Sequence, residues 1–564
     1  MSKQQVGVNE LVLVPLGGAG EIGMNIYLYG YGPKTKRQWL IVDVGVTFPG
    51  PAEPGIELIF PDIGFLQDDH NELVAIVLTH AHEDHLGALT ELWPLLRAPV
   101  YATPFAHALL RGKISSYGTR EEFEITEMPL GARFEVGPFD LEYVGMTHSI
   151  PEPNALVIRT PEGTVFHSGD WKIDPEPVVG ALVDEKRLRE LGEEGVDVLI
   201  CDSTNVFKEG HSISEGEVAR SLAEVIKKAP KRVIVTAFSS NVARIKAVAL
   251  AAKAANRYIV VAGLSLWRVI TAAKETGYLP DDLDFLDQDQ YDHLDRKDIV
   301  LLCTGSQGEN RAALARIAKG DHHRIKFAAG DMVIFSSFTI PGNERSVGGL
   351  LNDLSDGGIE IVTGANALVH ASGHPQRNEL RQLYKWLKPR SLIPMHGEFR
   401  HLREHRKFAH ENDISRTALM TNGEVMRLLP LDHKDGSLQK IDEVPTGRWY
   451  LDGKTISIDH VPVMRDRRKL AYVGLVVATI VLDEEDNEIL DLLIDTMGIP
   501  AEISEKKPLD DLIEIAIEGT MKSLPKKKRR NRARASEAVS RAIRAEIYRL
   551  WGKKPEVVVH MSRV

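Results

Sequence analysis

The amino-acid sequence predicts an α/β protein in which an α/β layer is inserted into a β-rich domain and a small α+β domain follows. Three observations predict it. Over residues 11–202, short runs rich in β-branched residues are separated by Gly and Pro turns. From about residue 214, stretches with apolar residues at helical spacing alternate with apolar strands, the pattern of a parallel sheet flanked by helices. After residue 367, short strands and turns resume, as though the first domain continued.

In chain order, LVLVPL, NIYLYG, WLIVDVG, VAIVLTH, FDLEYVGM, ALVIRT, TVFHSGD and DVLICDS read as strands whose polar residues gather at their ends. Gly18, Gly20 and Gly23 match GxGxxG after the first strand, with Asp43 about twenty residues on, as in a dinucleotide site. That fingerprint needs a helix beginning at the glycines, and the residues from Met24 to Tyr29 read as a strand, so a glycine-rich hairpin fits better. EGEVARSLAEVIKKA then precedes RVIVTAF, and NVARIKAVALAAKAANR precedes YIVVAG. DIVLLCTGSQGE, MVIFSSF and GIEIVTG continue the alternation, and SLIPMHGE and ALMTNGE return to strands. Residues 430–466 read as a linker with a few strands. The end of the chain reads as a β-α-α-β module: strand LAYVGLVVATIVLDE, two helices with Val539, Ile543, Ile547 and Leu550 on one face of the second, and strand EVVVHMSRV.

At 564 residues, with 43% hydrophobic and 26% charged side chains, the composition is that of a folded globular protein and excludes bulk disorder or a fibrous repeat. The longest apolar run, residues 470–482, is shorter than the roughly 18–20 residues that span a bilayer. The opening MSKQQVGVNE lacks a basic and then apolar export signal, so the expected location is cytoplasmic, with no membrane partner. Net charge is −11, which disfavours a polyanion at long range. The basic run at 526–534 runs against that average; on residues alone it is equally a solvated linker.

Two cysteines, Cys201 and Cys303, are too few for a thiolate cluster, so a metal must be held by His and carboxylate. His80, His82, Asp84 and His85 share one loop at the end of a predicted strand, with Glu83 facing away; imidazole and carboxylate there suit Zn²⁺ or Mn²⁺. His148, Asp170 and His396 stand at later strand ends. A carboxylate such as Asp170 can bridge two ions roughly 3.5–4 Å apart. His401 and His405 have the i,i+4 spacing of a metal pair on a helix, but nothing nearby in sequence completes a site.

HAHEDH with His148, Asp170 and His396 resembles the metallo-β-lactamase superfamily, and the inserted layer resembles its nucleic-acid-processing β-CASP branch. Asp202 in CDSTN, His374 in HASGHP and His396 in PMHGE match motifs A, B and C of that branch. With GGAGEIGMN, FSSN, CTGSQGE, RDRR near Arg465 and the short C-terminal module, nearly the whole chain is similar to the bacterial ribonuclease J family. The resemblance implies an α/β fold: a metallo-β-lactamase αββα sandwich from 1–213 and 367–430, a β-CASP domain at 214–366, a linker at 431–466 and a small α+β C-terminal domain at 467–564.

It also implies roles. His80, His82, His148 and Asp170 would hold one divalent cation, and Asp84, His85, Asp170 and His396 the other. His374 would protonate the departing 3′ oxygen, Asp202 would orient a histidine, and Asp84 counts with them in the catalytic set. Phe238, Ser239 and Ser240, and the loop of His370, Ala371, Ser372, Gly373 and His374, would bind substrate phosphate, including the 5′ end; ordinary helix capping is the alternative for these loops. Residues 305–309 would line the same channel. A structural Ca²⁺ would fall at Glu57 and Asp452, with Glu where Asp is more usual. The implied activity is 5′→3′ exonuclease action on single-stranded RNA with a 5′ monophosphate, plus endonuclease activity, in RNA maturation and decay. The implied assembly is a homodimer with RNA-decay or ribosome-associated partners. The rival readings are a DNA nuclease of the same branch, a small-ester or lactam hydrolase, and a non-catalytic RNA-binding scaffold.

Overall fold

The computed structural model describes residues 8–67, 72–117, 123–340, 342–431, 438–458, 461–501 and 508–564. The first seven residues, on which the reading of the N-terminus rests, lie outside them. The chain divides into two compact units, Met1–Thr47 with Ile59–Arg448, and Phe48–Leu58 with Trp449–Val564.

The first unit is built on two sheets. One has eight strands in the order Gln439–Glu443, Glu424–Leu429, Glu10–Gly17, Ile26–Gly32, Gln38–Val42, Glu72–Val77, Val100–Ala102 and Ile125–Glu127. The other has six, ordered Ser391–Met395, Val198–Asp202, Gly163–His167, Asn154–Thr160, Phe139–Gly145 and Arg133–Val136. Side chains alternate faces along each strand, so Val198 and Ile200 enter the core between the sheets while Leu199 and Cys201 enter the next layer. The inter-sheet core joins Leu11, Leu13, Tyr29 and Val42 to Leu141, Leu156 and Ile158. Helices Glu185–Glu194, Arg377–Leu387 and Phe399–Glu411 cover the other face of the six-stranded sheet through Leu188, Leu383 and Phe408. Covering both faces explains why these strands read as nearly unbroken apolar runs.

Between the strands Val198–Asp202 and Ser391–Met395 the chain makes a separate six-stranded sheet, every pairing parallel, in the order Phe285–Asp287, Tyr258–Ala262, Ile299–Cys303, Val233–Thr236, Met332–Phe335 and Glu360–Val362. Its first helix, Glu215–Lys228, starts at Ser214, which forms a reciprocal capping box with Glu217. This is the inserted α/β domain expected from the alternating pattern.

The GxGxxG segment opens no helix. Ala19–Gly20 pairs in parallel with Gly397–Glu398, and the next element is the strand Ile26–Gly32. Gly18 has φ of +84°, and a Cβ there would lie 2.2 Å from Asn25 Oδ1, so the glycine serves close packing under the metal loop.

In the second unit, Leu475–Leu482 is the central strand, antiparallel to Ile489–Met497 and parallel to Glu556–Arg563. Helices Leu509–Ser523 and Arg532–Trp551 pack on one face through Ile513, Ile517, Val539 and Ile543. Two details differ from the β-α-α-β expectation. Strand Ile489–Met497 is additional; it is an edge strand whose acidic and apolar residues are mostly exposed, so it carries no burial signal in sequence. The run read as one strand from residue 470 is split by Gly474 at φ +69°, which separates helix Val461–Val473 from strand Leu475–Leu482. Among the described residues no helix is long and apolar enough to cross a membrane.

Candidate metal centre

Strands Phe139–Gly145, Gly163–His167, Val198–Asp202 and Ser391–Met395 all run the same way, so their C-terminal ends share one edge of the six-stranded sheet. His148, Asp170, Asp202 and His396 lie at or just beyond those ends. The loop after Glu72–Val77, in the facing sheet, brings His80 and His82, and the short helix Glu83–Leu86 carries Asp84 and His85. Glu83 points away and pairs with Lys113 at 2.8 Å.

These residues and His374 converge as three overlapping groups sharing Asp170, one of them made with Asp202, His374 and His396. The ligand atoms of His80, His82, His148 and Asp170 lie within 4.8 Å of one another, and so do those of Asp84, His85, Asp170 and His396. His82 Nδ1 is 3.2 Å from His80 Nε2 and 3.0 Å from His148 Nε2. Asp170 Oδ2 is 3.3 Å from His85 Nε2 and 3.8 Å from His148 Nε2.

The outer ring nitrogens are anchored so that the inner ones face the cluster. His85 Nδ1 donates to Asp43 Oδ2 at 2.7 Å, and His148 Nδ1 donates to the Gly373 carbonyl at 2.6 Å. His80 Nδ1 meets Thr79 Oγ1 at 3.0 Å, and that hydroxyl donates to Asp43. Such outer bonds set the tautomer and the ring direction. Gly373 must be small, since a Cβ would sit 2.5 Å from the His148 ring.

The charge balance asks for cations. Burial drives His80 and His148 well below the ordinary imidazole range and His82 down to about 4, which keeps them neutral with free lone pairs. Burial also acts on His396 in that direction, but Asp170, Asp202 and Asp84 overcome it and push it up to about 10. Asp43, Asp84, Asp170 and Asp202 gather around the same rings, and against burial they hold, besides His396, His85 well above and His374 above the ordinary imidazole range, a concentration of negative charge that favours cations. Asp170 Oδ1 is buried and makes no hydrogen bond. Converging imidazole lone pairs, surplus carboxylates and an orphaned carboxylate oxygen fit divalent cations.

Beside the cluster, His374 Nδ1 donates to Asp202 Oδ2 at 2.8 Å, and Asp202 Oδ1 accepts the Thr204 N–H at 2.8 Å. Burial lowers the pKa of His374, but Asp202 outweighs it and leaves it raised. The His374 loop is held from behind. Asn205 donates to Ser372 Oγ and the His374 carbonyl, and Glu379, fully buried, receives Ser212 and the Gln376 N–H. At the other predicted loop, Asn241 caps helix Val242–Ala254 by accepting the Arg244 N–H at 2.9 Å. Capping is therefore the work of Asn241; among the described residues Ser239 and Ser240, half-buried, make no side-chain hydrogen bond. The buried Arg244 guanidinium binds Glu215 at 2.8 Å and the Val369 carbonyl at 2.7 Å, bringing this helix against the start of the His370 loop. Burial lowers His370 to about 3, and its Nδ1 faces the Ser336 carbonyl.

His401 and His405 do not form a metal pair: His405 is held by Ser203 Oγ at 2.8 Å and the Tyr384 hydroxyl at 2.6 Å. Glu57 and Asp452 do come close, with Glu57 accepting the Gly453 N–H at 2.8 Å, but Arg467 occupies Asp452 at 2.6 Å. A Ca²⁺ needs six to eight oxygens, and no third carboxylate joins this pair among the described residues. Residues that sequence reasoning passed over are Asp43, Thr79, Thr204, Arg244 and Glu379. In sequence Asp43 is legible only as the strand-end acid about twenty residues after the GxGxxG glycines.

A sandwich with this His/Asp cluster at one edge is a metal-dependent hydrolase of the metallo-β-lactamase fold, and a beta-lactamase superfamily domain matches residues 39–235. A Zn-dependent metallo-hydrolase RNA specificity domain matches 358–416, a ribonuclease J beta-CASP domain 230–354 and a ribonuclease J C-terminal domain 462–564. Ribonuclease J of Sinorhizobium meliloti is 48% identical over 555 residues, covering 98% of each chain. Those of Thermus thermophilus, 36% identical over 84% of this chain and 82% of the relative, and Helicobacter pylori, 32% over 97% and 79%, are also similar. A solved protein of unknown function from Enterococcus faecalis shares the fold, with a TM-score of 0.52 at 17% identity over 74% of this chain and 100% of that one. The chain belongs to the ribonuclease J family.

Proposed function

We propose that the chain is a ribonuclease that holds two divalent cations, Zn²⁺ or Mn²⁺, degrades single-stranded RNA from a 5′ monophosphate in the 5′→3′ direction, and also cuts internally. The observation that carries the reading is the pair of ligand groups sharing Asp170 with the His374–Asp202 pair beside them. Cations bound there would supply charge compensation at the scissile phosphate and lower the pKa of water. Asp202, by accepting from Nδ1, leaves His374 Nε2 to carry the proton that goes to the departing 3′ oxygen. His148 Nδ1 donates to the Gly373 carbonyl, which ties the histidine loop to the ligand set. Ser239 and Ser240, with the His370–His374 loop, form the pocket for the terminal phosphate, and a filled pocket sets the cut one nucleotide in. A homodimer working in the cytoplasm on RNA maturation and decay, with RNA-decay or ribosome-associated partners, completes the proposal.

The test uses one RNA, labelled at its 3′ end and bearing either a 5′ monophosphate or triphosphate, with Mn²⁺ or Zn²⁺ supplied and a DNA strand alongside. The expected result is stepwise shortening from the 5′ end, faster on the monophosphate, abolished by chelator and by Asp84→Ala. Cutting of DNA alone, or full activity in the variant, would overturn it.

A further inference from the structure

Helix Phe399–Glu411 begins three residues after His396 and turns its buried side, with Leu402, His405 and Phe408, toward the six-stranded sheet. Its outer side lines a groove with Phe207, Phe399, Arg400, Arg403, Arg406 and Lys407. Four cations in one groove stand out on a chain of net charge −11. Two of these cations are paired, Arg400 with Glu398 at 2.7 Å and Lys407 with Glu411 at 3.6 Å, and Glu404 is engaged by Arg377. Arg403 and Arg406 make no ion pair among the described residues. Phe207 and Phe399 are 50% and 46% exposed, and the Arg400 guanidinium lies 6.0 Å from the Phe207 ring.

The aromatic end of the groove is tied to the metal centre along the chain, Phe207 five residues after Asp202 and Phe399 three after His396. Its far end reaches Ser415 and Thr417. Thirteen helical residues at about 1.5 Å each extend about 20 Å, room for about six nucleotides at a stacked spacing of about 3.4 Å. Exposed rings in one groove with the unpaired guanidinium groups of Arg403 and Arg406 are the chemistry that holds single-stranded nucleic acid, bases on the rings and phosphates on the cations. An acidic protein segment would use the cations but leave the rings bare.

We propose that this groove binds the body of a single-stranded RNA, several nucleotides away from the scissile phosphate. The proposal rests on the ribonuclease reading above. Arg403→Glu with Arg406→Glu, and separately Phe207→Ala, are to be compared with wild type on two 5′-monophosphorylated RNAs, one of about 20 nucleotides and one of about three. Each variant is expected to raise KM on the long RNA about tenfold with kcat unchanged, and to leave the short RNA unaffected. The slope of log KM against log salt on the long RNA falls by about 0.7 for each phosphate that the variant no longer neutralises. Unchanged KM on the long RNA in both variants refutes the groove while leaving the ribonuclease reading intact, and is the outcome expected if an acidic protein segment occupies it. Equal losses on both RNAs, with wild-type metal content and melting temperature, also refute it. Wild type that cuts neither RNA refutes the ribonuclease reading itself. Phe207→Ala, at an exposed position, keeps the test decisive if the double charge reversal fails to fold.

Discussion

Asp202→Asn tests the assignment of His374 as the proton donor. The carboxylate accepts the His374 Nδ1–H at 2.8 Å, and burial alone would pull this imidazole down; Asp202 foremost, and Asp170 after it, hold it raised. A hydrogen bond to a charged partner is worth about 1.5–3 kcal/mol, and its loss lowers the pKa of His374. A donor must be protonated, so activity falls as pH rises through its pKa, and the variant's alkaline limb should move to lower pH. At a pH above both limbs the variant should be slower by about 10–100-fold. The assay is kcat against pH on a 5′-monophosphorylated RNA, with metal content measured in parallel. His374→Ala should lose about 10²–10⁴-fold and its alkaline limb altogether. An Asp202→Asn profile lowered equally at every pH, or a loss that tracks missing metal, would refute the argument, because Asp202 would then act through the cation site and not through His374.

Two other perturbations have defined outcomes. Asp43→Asn leaves every proposed ligand in place but weakens the anchors of His85 and His80, so metal affinity in a chelator competition should drop about 10–100-fold; unchanged affinity would mean the rings hold their directions without it. Glu142 is buried against Arg187 and Arg159, each within 2.6 Å, and although burial pushes its carboxyl up, these hydrogen bonds overcome it and hold it below the ordinary range. Its stabilisation is therefore present above the unfolded pKa near 4.3 and lost as pH falls through the lower folded value. Glu142→Gln should cost about 1–3 kcal/mol at neutral pH, with the gap closing below about pH 4 in urea unfolding; a gap that persists there would contradict the pairing.

What the sequence by itself determined is what local pattern encodes. Alternation and apolar runs mark the strands of both sheets, because side-chain period follows backbone geometry. Four candidate ligands fall in one short loop, from His80 to His85, and so are legible together. The helical alternation over 214–366 marks the insertion, since parallel strands need a long crossover, most often a helix. Tertiary structure alone decided the rest. Asp43 reaches His85 across 42 residues, and the Gly373 carbonyl reaches His148 across 225. Neither contact leaves a local trace, because each exists only once sheet order has set those strand ends side by side. Gly474 and the exposed strand Ile489–Met497 show the same limit at smaller scale: one depends on a backbone angle, the other on pairing at a sheet edge, and the hydrophobic pattern of a chain records burial, not the identity of the neighbour that causes it.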